Sequence, residues 1–110
     1  YLKFMERARS DMLRAAGIDQ RAAMEQDLGV YAVAEAHLRY LRPAKLGDDL
    51  MILSTVEQVR AASVVIHQRV MRGDEQLTDG RITAAFLTLD GRPTRQPKEW
   101  VERFEAIRRG

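Results

Sequence analysis

The hydrophobic pattern of this chain changes period once, near Val30, and that change constrains the fold more than any other feature. Residues 1–16 repeat apolar side chains every three to four positions, which predicts a helix with a broad apolar face. Gly17 is a natural helix stop, and residues 19–27 are expected to form a short second helix. From Val30 onward apolar and polar residues alternate, which predicts strands.

Four alternating segments follow one another before a final helical pattern. The predicted strands cover residues 30–40, 50–59, 63–72 and 77–90, and the predicted last helix covers residues 98–109. The first strand is expected to be half-buried, with its even-numbered residues on the inner face. Short links, including the hairpin signal Gly73-Asp74, predict antiparallel pairing, and Gly80 is a candidate bulge. A helix packed on an antiparallel sheet is an α+β layer.

Composition excludes several classes of function. The chain has 110 residues, enough for one domain, and a formal charge of +2. Six basic and three acidic side chains fall in residues 92–110, but there is no recognition helix or basic stripe, so a nucleic-acid partner is not favoured. There is no cysteine, no apolar run near the roughly 18–20 residues of a membrane span, and no visible signal peptide. The expected compartment is the cytoplasm.

No complete catalytic constellation can be read from the residues alone. His37 and His67 lie on predicted strands without a Cys, Asp or Glu at ligand spacing, so no metal site is predicted. The three serines are outside any G-x-S-x-G elbow, and the chain has no glycine-rich phosphate loop.

Four polar side chains at two turns are candidates for binding phosphate. Arg60 and Ser63 flank the link between the second and third strands, and Arg92 and Arg95 flank a proline-containing turn after the fourth. Donors on short exposed turns suit phosphate oxygens. Solvated surface arginines are an equally open interpretation.

Four stretches of the chain resemble one family. YLKFMERARSDMLRAAG, at residues 1–17, is similar to the long helix of hotdog-fold acyl-CoA thioesterases, with its F-x-E-R-A-R pattern. YLRPAKLGDDL, at residues 40–50, resembles that family's Y-x-x-P-A-(R/K)-L-x-D-x-L stretch. Residues 60–63, running on to Gln68, resemble its R-x-x-S turn, and residues 92–97 resemble its exit from the last strand. The chain is thus identified as resembling the 4-hydroxybenzoyl-CoA thioesterase family, in its Tol-Pal-associated, YbgC-type branch.

The resemblance implies a hotdog fold, in which a curved antiparallel sheet wraps around one long central helix. In the family a strand and a loop with D-x-D-x-x-G-V-V-Y-H precede that helix. Here the helical pattern begins at Tyr1 with no capping residue ahead of it. We therefore expect residues 1–110 to be a single hotdog domain lacking its N-terminal strand and catalytic loop, with the principal aspartate outside the sequence.

The same resemblance implies hydrolysis of an acyl-CoA thioester to a carboxylic acid and free CoA. Tyr1, Phe4 and Met5 are candidates for lining the acyl group. Glu6 either supports the active site or is an ordinary exposed charge that pairs with Arg9 or Arg39. The predicted contacts to the CoA phosphates are made by Arg60, Ser63, Arg92 and Arg95, with Arg60 and Arg95 favoured and Arg42 and Lys45 as outside candidates.

No separate cofactor is expected, because coenzyme A is part of the substrate. The expected assembly is a homodimer or homotetramer, since such a thin layer leaves edges and apolar surface uncovered. One alternative is a non-catalytic hotdog module that binds acyl-CoA or acyl-carrier protein. Another, a hotdog dehydratase, needs a histidine on the loop before the helix, and neither His37 nor His67 is placed there. The acyl group itself stays open.

Overall fold

The computed structural model describes residues 2–110, except for the side chains of Leu2 and Phe4, and contains every predicted element. The helices are α1 (Leu2–Ala15), α2 (Gln20–Glu25) and α3 (Lys98–Arg109), and the strands are β1 (Val30–Tyr40), β2 (Met51–Val59), β3 (Ser63–Arg72) and β4 (Glu75–Leu87). In this part of the chain no helix is long and apolar enough to cross a membrane.

The end of α1 follows from the residues that come directly after it. Gly17 has a φ of 77°, a conformation that glycine adopts without steric cost. Its amide donates to Arg14 O, and the amide of Ile18 donates to Leu13 O at 2.9 Å. Leu13 and Ile18 are both buried, so the turn also closes a hydrophobic contact. The predicted stop at Gly17 is confirmed.

All strand pairs are antiparallel, as predicted, but the order of the strands is not the order of the chain. The sheet runs β1-β4-β3-β2, so β1 lies beside the last strand. The Gly73-Asp74 hairpin joins β3 to β4, and the longer segment 41–50 carries the chain from β1 to the far edge at β2. Within the described residues, neither β1 nor β2 has a hydrogen-bonded strand on its outer side.

The helices pack on one face of the sheet and bury two clusters of side chains. The first core cluster joins all three helices to the sheet; it comprises Leu13, Ile18, Ala23, Val56, Val64, Ile66, Phe86, Trp100 and Phe104. The second core cluster lies under the start of α1 and comprises Met5, Val70, Leu77 and Ile82. Because side chains alternate along a strand, the opposite face carries polar residues such as His67 and Asp79.

The expected burial of β1 is wrong in two respects. Most of its side chains are exposed on both faces, because β1 lies at the edge of the sheet and the described helices cover little of its inner face. The register also shifts between Val33 and Glu35, which leaves Ala34 as the extra residue of a bulge. The shift turns the inner face from the odd residue Tyr31, which packs on the first core cluster, to the even residue Leu38, which packs on the second.

Gly80 is not a bulge, contrary to prediction. It pairs in register with Leu38 on one side and Gln68 on the other. A Cβ atom at this position would lie 2.7 Å from Leu38 Cδ2 and 2.9 Å from Met5 Cε. The glycine therefore lets the start of α1 approach the sheet closely.

Candidate active site

A cavity between α1 and the sheet, the α1 pocket, is the best candidate for an acyl-binding site. It has a volume of about 450 Å³. Its apolar part comes from Leu13 and from strand residues on the inner face of the sheet, among them Val64 and Ile66. Glu6, Arg9, Ser10, Gln20 and Tyr31 supply the polar groups that line it. A cavity that joins an apolar wall to a set of polar groups can hold an acyl group and orient a polar one beside it.

Arg9 is held in the wall of this pocket by a buried amide. Its Nη1 donates to Gln68 Oε1 at 2.7 Å, and Gln68 Nε2 donates to Met5 O and to Ser54 Oγ, both at 2.9 Å. Burial lowers the pKa of Arg9, while the nearby charge of Glu6 opposes that shift. Gln68 thus ties α1 to β2 and β3 and leaves a partly desolvated guanidinium beside the pocket.

Glu6 is exposed and lines the α1 pocket. Within residues 2–110 it forms no ion pair with Arg9 or Arg39. Its location suits a supporting role near bound substrate, which stays a prediction. Tyr1 and the side chain of Phe4 lie outside the described residues, whereas Met5 is fully buried in the second core cluster and does not line the pocket.

The two predicted phosphate-binding turns come together at one end of the sheet. We call the segments 60–63 and 92–97 the arginine rim. Arg60 is exposed, and among the described residues its guanidinium donates only to the neutral Gln58 Oε1, at 3.1 Å. Arg95 is exposed and has no ion pair or side-chain hydrogen bond with any described residue. Arg92 instead pairs with Asp90 in its own turn, at 3.0 Å, so its charge is already compensated.

Gln96 holds the arginine rim together. Its Nε2 donates to Arg60 O at 2.8 Å and to Ser63 O at 3.1 Å, and its backbone amide donates to Ala61 O at 2.9 Å. Its Oε1 accepts from the Tyr31 hydroxyl at 2.5 Å. Only 5% of Gln96 is exposed, so its whole amide is used inside the protein.

Tyr31 connects the arginine rim to the α1 pocket. Its hydroxyl contacts Gln96, and its ring both lines the pocket and packs 4.9 Å from the ring of Phe86. Burial raises the pKa of the Tyr31 phenol, so it stays a hydrogen-bond donor through the neutral range. One side chain therefore touches both parts of the candidate site.

Arg42 and Lys45 do not join the arginine rim. They lie on segment 41–50, which packs beside the β3–β4 hairpin at the opposite end of β3. Arg42 Nη1 contacts Glu75 at 2.6 Å, and the backbone amide of Lys45 donates to Asp48 at 2.6 Å. Asp48 in turn pairs with Arg72 at 2.7 Å. The Lys45 amide and the Arg72 guanidinium hold the pKa of Asp48 below its ordinary value.

The two histidines lie away from the α1 pocket. His67 contacts Asp79 on the polar face of the sheet, and His37 contacts Glu35 at 2.7 Å on the exposed edge strand. The hydrogen bond from His67 holds the pKa of Asp79 below its ordinary value. Among the described side chains, no three of His, Cys, Asp and Glu lie together as metal ligands would.

Comparison with known proteins identifies the family. A model of the thioesterase superfamily matches residues 1–78. The chain belongs to the thioesterase superfamily. The acyl-CoA thioesterase YbgC of Haemophilus influenzae is 31% identical over 109 residues, which cover 98% of this chain and 80% of that protein. The acyl-CoA thioester hydrolase YbgC of Escherichia coli O157:H7 is 30% identical over 107 residues, which cover 96% and 79%.

A solved structure agrees with this assignment. The thioesterase from Thermus thermophilus, complexed with coenzyme A and Zn, superposes with a TM-score of 0.79 at 26% identity, covering 99% of this chain and 78% of that one. The resemblance predicted from the sequence, the hotdog α+β fold and the thioester-hydrolase class of the superfamily are confirmed.

Sequence reasoning missed the two glutamines that organise the site. Gln68 and Gln96 both lie in stretches that resemble the family, but only the charged residues and the serine in those stretches were predicted to belong to the site. The available signal was positional, since Gln68 occupies an inward-facing position of a strand whose alternate residues are apolar. A polar residue there must find internal partners.

Proposed function

We propose that this thioesterase hydrolyses acyl-CoA thioesters to a carboxylic acid and free CoA. The observation that carries the proposal is the arrangement of the α1 pocket and the arginine rim, which the hydrogen bond from Tyr31 to Gln96 connects. A pocket with apolar walls suits an acyl group, and uncompensated arginines suit the phosphates of the CoA arm. Arg60 and Arg95 are the proposed phosphate ligands and Ser63 a lesser one, while Arg92 is the weaker candidate because it pairs with Asp90.

The N-terminus of α1 is the proposed site for the thioester carbonyl. Free amides and the positive end of the helix dipole favour the negative charge that develops on the carbonyl oxygen. By resemblance to the family, a carboxylate on the loop before this helix attacks the carbonyl or activates water. None of the described residues is assigned that role, and Glu6 is proposed only as a supporting group. A thioester is already activated, so we propose no separate cofactor.

We also propose that the protein is at least a homodimer. β1 is an edge strand of 11 residues with mostly exposed side chains, and Val33 on it is 52% exposed. A long exposed edge pairs readily with a second copy. Sedimentation of the protein distinguishes a dimer from a tetramer. A cytoplasmic location remains part of the proposal, consistent with the absence of cysteine.

Thiol release from a panel of aromatic and aliphatic acyl-CoAs tests the activity. We expect turnover of at least one member. The Arg95→Ala variant is expected to raise KM about tenfold with little change in kcat, because it removes a charge-assisted phosphate contact. The matched Arg92→Ala variant is expected to change KM less than twofold, because Arg92 is compensated by Asp90.

Two results would contradict the proposal in different ways. Binding of coenzyme A without turnover of any acyl-CoA favours the alternative, a non-catalytic module for acyl-CoA or acyl-carrier protein. No binding of coenzyme A, measured by calorimetry, rejects both functions.

A further inference from the structure

Both segments of the arginine rim depend on one buried side chain. The turn that carries Arg60 is closed by the hydrogen bond from Arg60 N to Ser63 O, at 2.8 Å. The Gln96 amide adds two donated bonds to this turn, at Arg60 O and Ser63 O. Gln96 directly follows Arg95 in the chain, so the same residue fixes the backbone next to both rim arginines that form no ion pair with a described residue.

The hydrogen bonds of the Gln96 side chain are buried, and they require a particular set of donors and acceptors. Gln96 offers two side-chain N–H donors and one carbonyl, and the turn supplies two acceptors while Tyr31 supplies one donor. A carboxylate or a shorter amide cannot satisfy this set. The arrangement buries a polar side chain beside Tyr31, whose ring packs on that of Phe86, and a buried polar group is costly unless it is hydrogen-bonded.

We propose that Gln96 is a positioning residue for coenzyme A, which holds Arg60 and Arg95 in the relative placement that the phosphates require and joins them through Tyr31 to the acyl pocket. This inference rests on the proposed function. It assigns Gln96 no contact with the substrate. Its effect should therefore appear only for ligands that carry phosphates and only while the arginines are present.

The first test measures binding by calorimetry on the full chain, with coenzyme A and with pantetheine, which lacks the phosphates. Gln96→Glu keeps the size of the side chain but replaces the donor with an oxygen that faces two carbonyls. We expect the Kd for coenzyme A to rise about tenfold, since each lost hydrogen bond costs a few-fold. The Kd for pantetheine should change less than twofold. With an acyl-CoA substrate, KM should rise and kcat should not.

Gln76→Glu is the matched control, because it makes the same substitution at a partly buried glutamine whose side chain donates to Asp79, at 3.2 Å, away from both the rim and the α1 pocket. Its Kd for coenzyme A should stay within twofold of the native value. If both variants weaken coenzyme A binding equally, the effect is one of general stability and the inference is wrong. Gln96→Met, which removes the donor without adding charge, replaces Gln96→Glu if circular dichroism shows the latter unfolded.

A double-mutant cycle separates positioning from structure. In an Arg60→Ala, Arg95→Ala background, Gln96→Glu should cost less than twofold in Kd, because no arginine remains to be positioned. An undiminished tenfold loss in that background overturns the inference. If the native protein binds coenzyme A and the Gln96 variants bind it equally well, the inference is wrong but the proposed function stands. Native protein that does not bind it overturns the proposed function as well.

Discussion

Gln68 and Gln96 have the same side chain and nearly the same burial, 0% and 5% exposed, but they join different kinds of structure. Gln68 connects a helix to two strands at the side of the α1 pocket. Gln96 connects a turn and an exit segment to β1 at the arginine rim. Regular elements hold their shape through backbone bonds, whereas turns depend on such ties for their geometry. The first glutamine should therefore matter most for stability and the second for recognition.

The two glutamines also differ in the charge of their hydrogen-bond partners, and this should increase the difference in their contributions to stability. Gln68 accepts from the guanidinium of Arg9, a charged donor that is partly desolvated. Gln96 accepts from a neutral phenol and donates to two backbone carbonyls, so all its side-chain partners are uncharged. Hydrogen bonds to charged groups contribute more, and their loss leaves a costlier orphan.

The largest expected effect in this comparison is that of Gln68→Leu. We expect the free energy of unfolding to fall by about 3 kcal/mol, because Arg9 loses its acceptor and α1 loses its tie to β2 and β3. Gln96→Leu should cost only about 1.5 kcal/mol. Urea unfolding followed by circular dichroism measures both. Equal losses would show that the two sites do not differ in the way proposed here.

Tyr31→Phe should have a smaller, pH-dependent effect. At neutral pH the lost bond to Gln96 should lower the free energy of unfolding by about 1 kcal/mol. Burial raises the pKa of Tyr31 in the folded state, so above pH ~10 the unfolded chain ionises first and the native stability conferred by the phenol declines. The difference in the free energy of unfolding between native protein and variant should therefore shrink as the pH rises from ~8 to ~10.5. A gap that is constant over this range contradicts the burial of the phenol.

Thr78→Val should have the smallest effect. Thr78 is fully buried in β4, and its Oγ1 has no hydrogen-bond partner among the described residues. It joins no segments, unlike either glutamine. Replacing its hydroxyl with a methyl group should leave stability unchanged or raise it by up to about 1 kcal/mol. A destabilisation of about 2 kcal/mol or more by thermal unfolding would show that the hydroxyl has a partner after all.

Much of the fold could be predicted because its signals are local. The helical period of α1, the glycine at its end and the two-residue Gly73-Asp74 hairpin each depend on neighbours in the chain. The bulge at Ala34 could not be predicted, because the alternation in the sequence continues through it. What displaces the register is the pairing with β4, which is distant in the chain.

The candidate site, like the fold, could be predicted from the sequence only in part. Arg60 and Arg95 could be found because charged residues at turns stand out in the sequence. That Arg92 is compensated by Asp90, and that Arg42 and Lys45 lie at the other end of β3, depend on side-chain contacts and on strand order. Neither follows from the spacing of the residues.

The sequence by itself determined the elements, their antiparallel pairing, the family and the candidate residues for phosphate binding, because hydrophobic period, turn residues and motifs are local features of the chain. Tertiary structure alone decided that β1 lies beside β4, that Gly80 lets α1 approach the sheet, and that Gln68 and Gln96 make hydrogen bonds that join the segments of the candidate site. The physical reason is burial. A glutamine becomes an organising residue only when folding removes water from it and supplies partners from distant segments, and no local pattern records that.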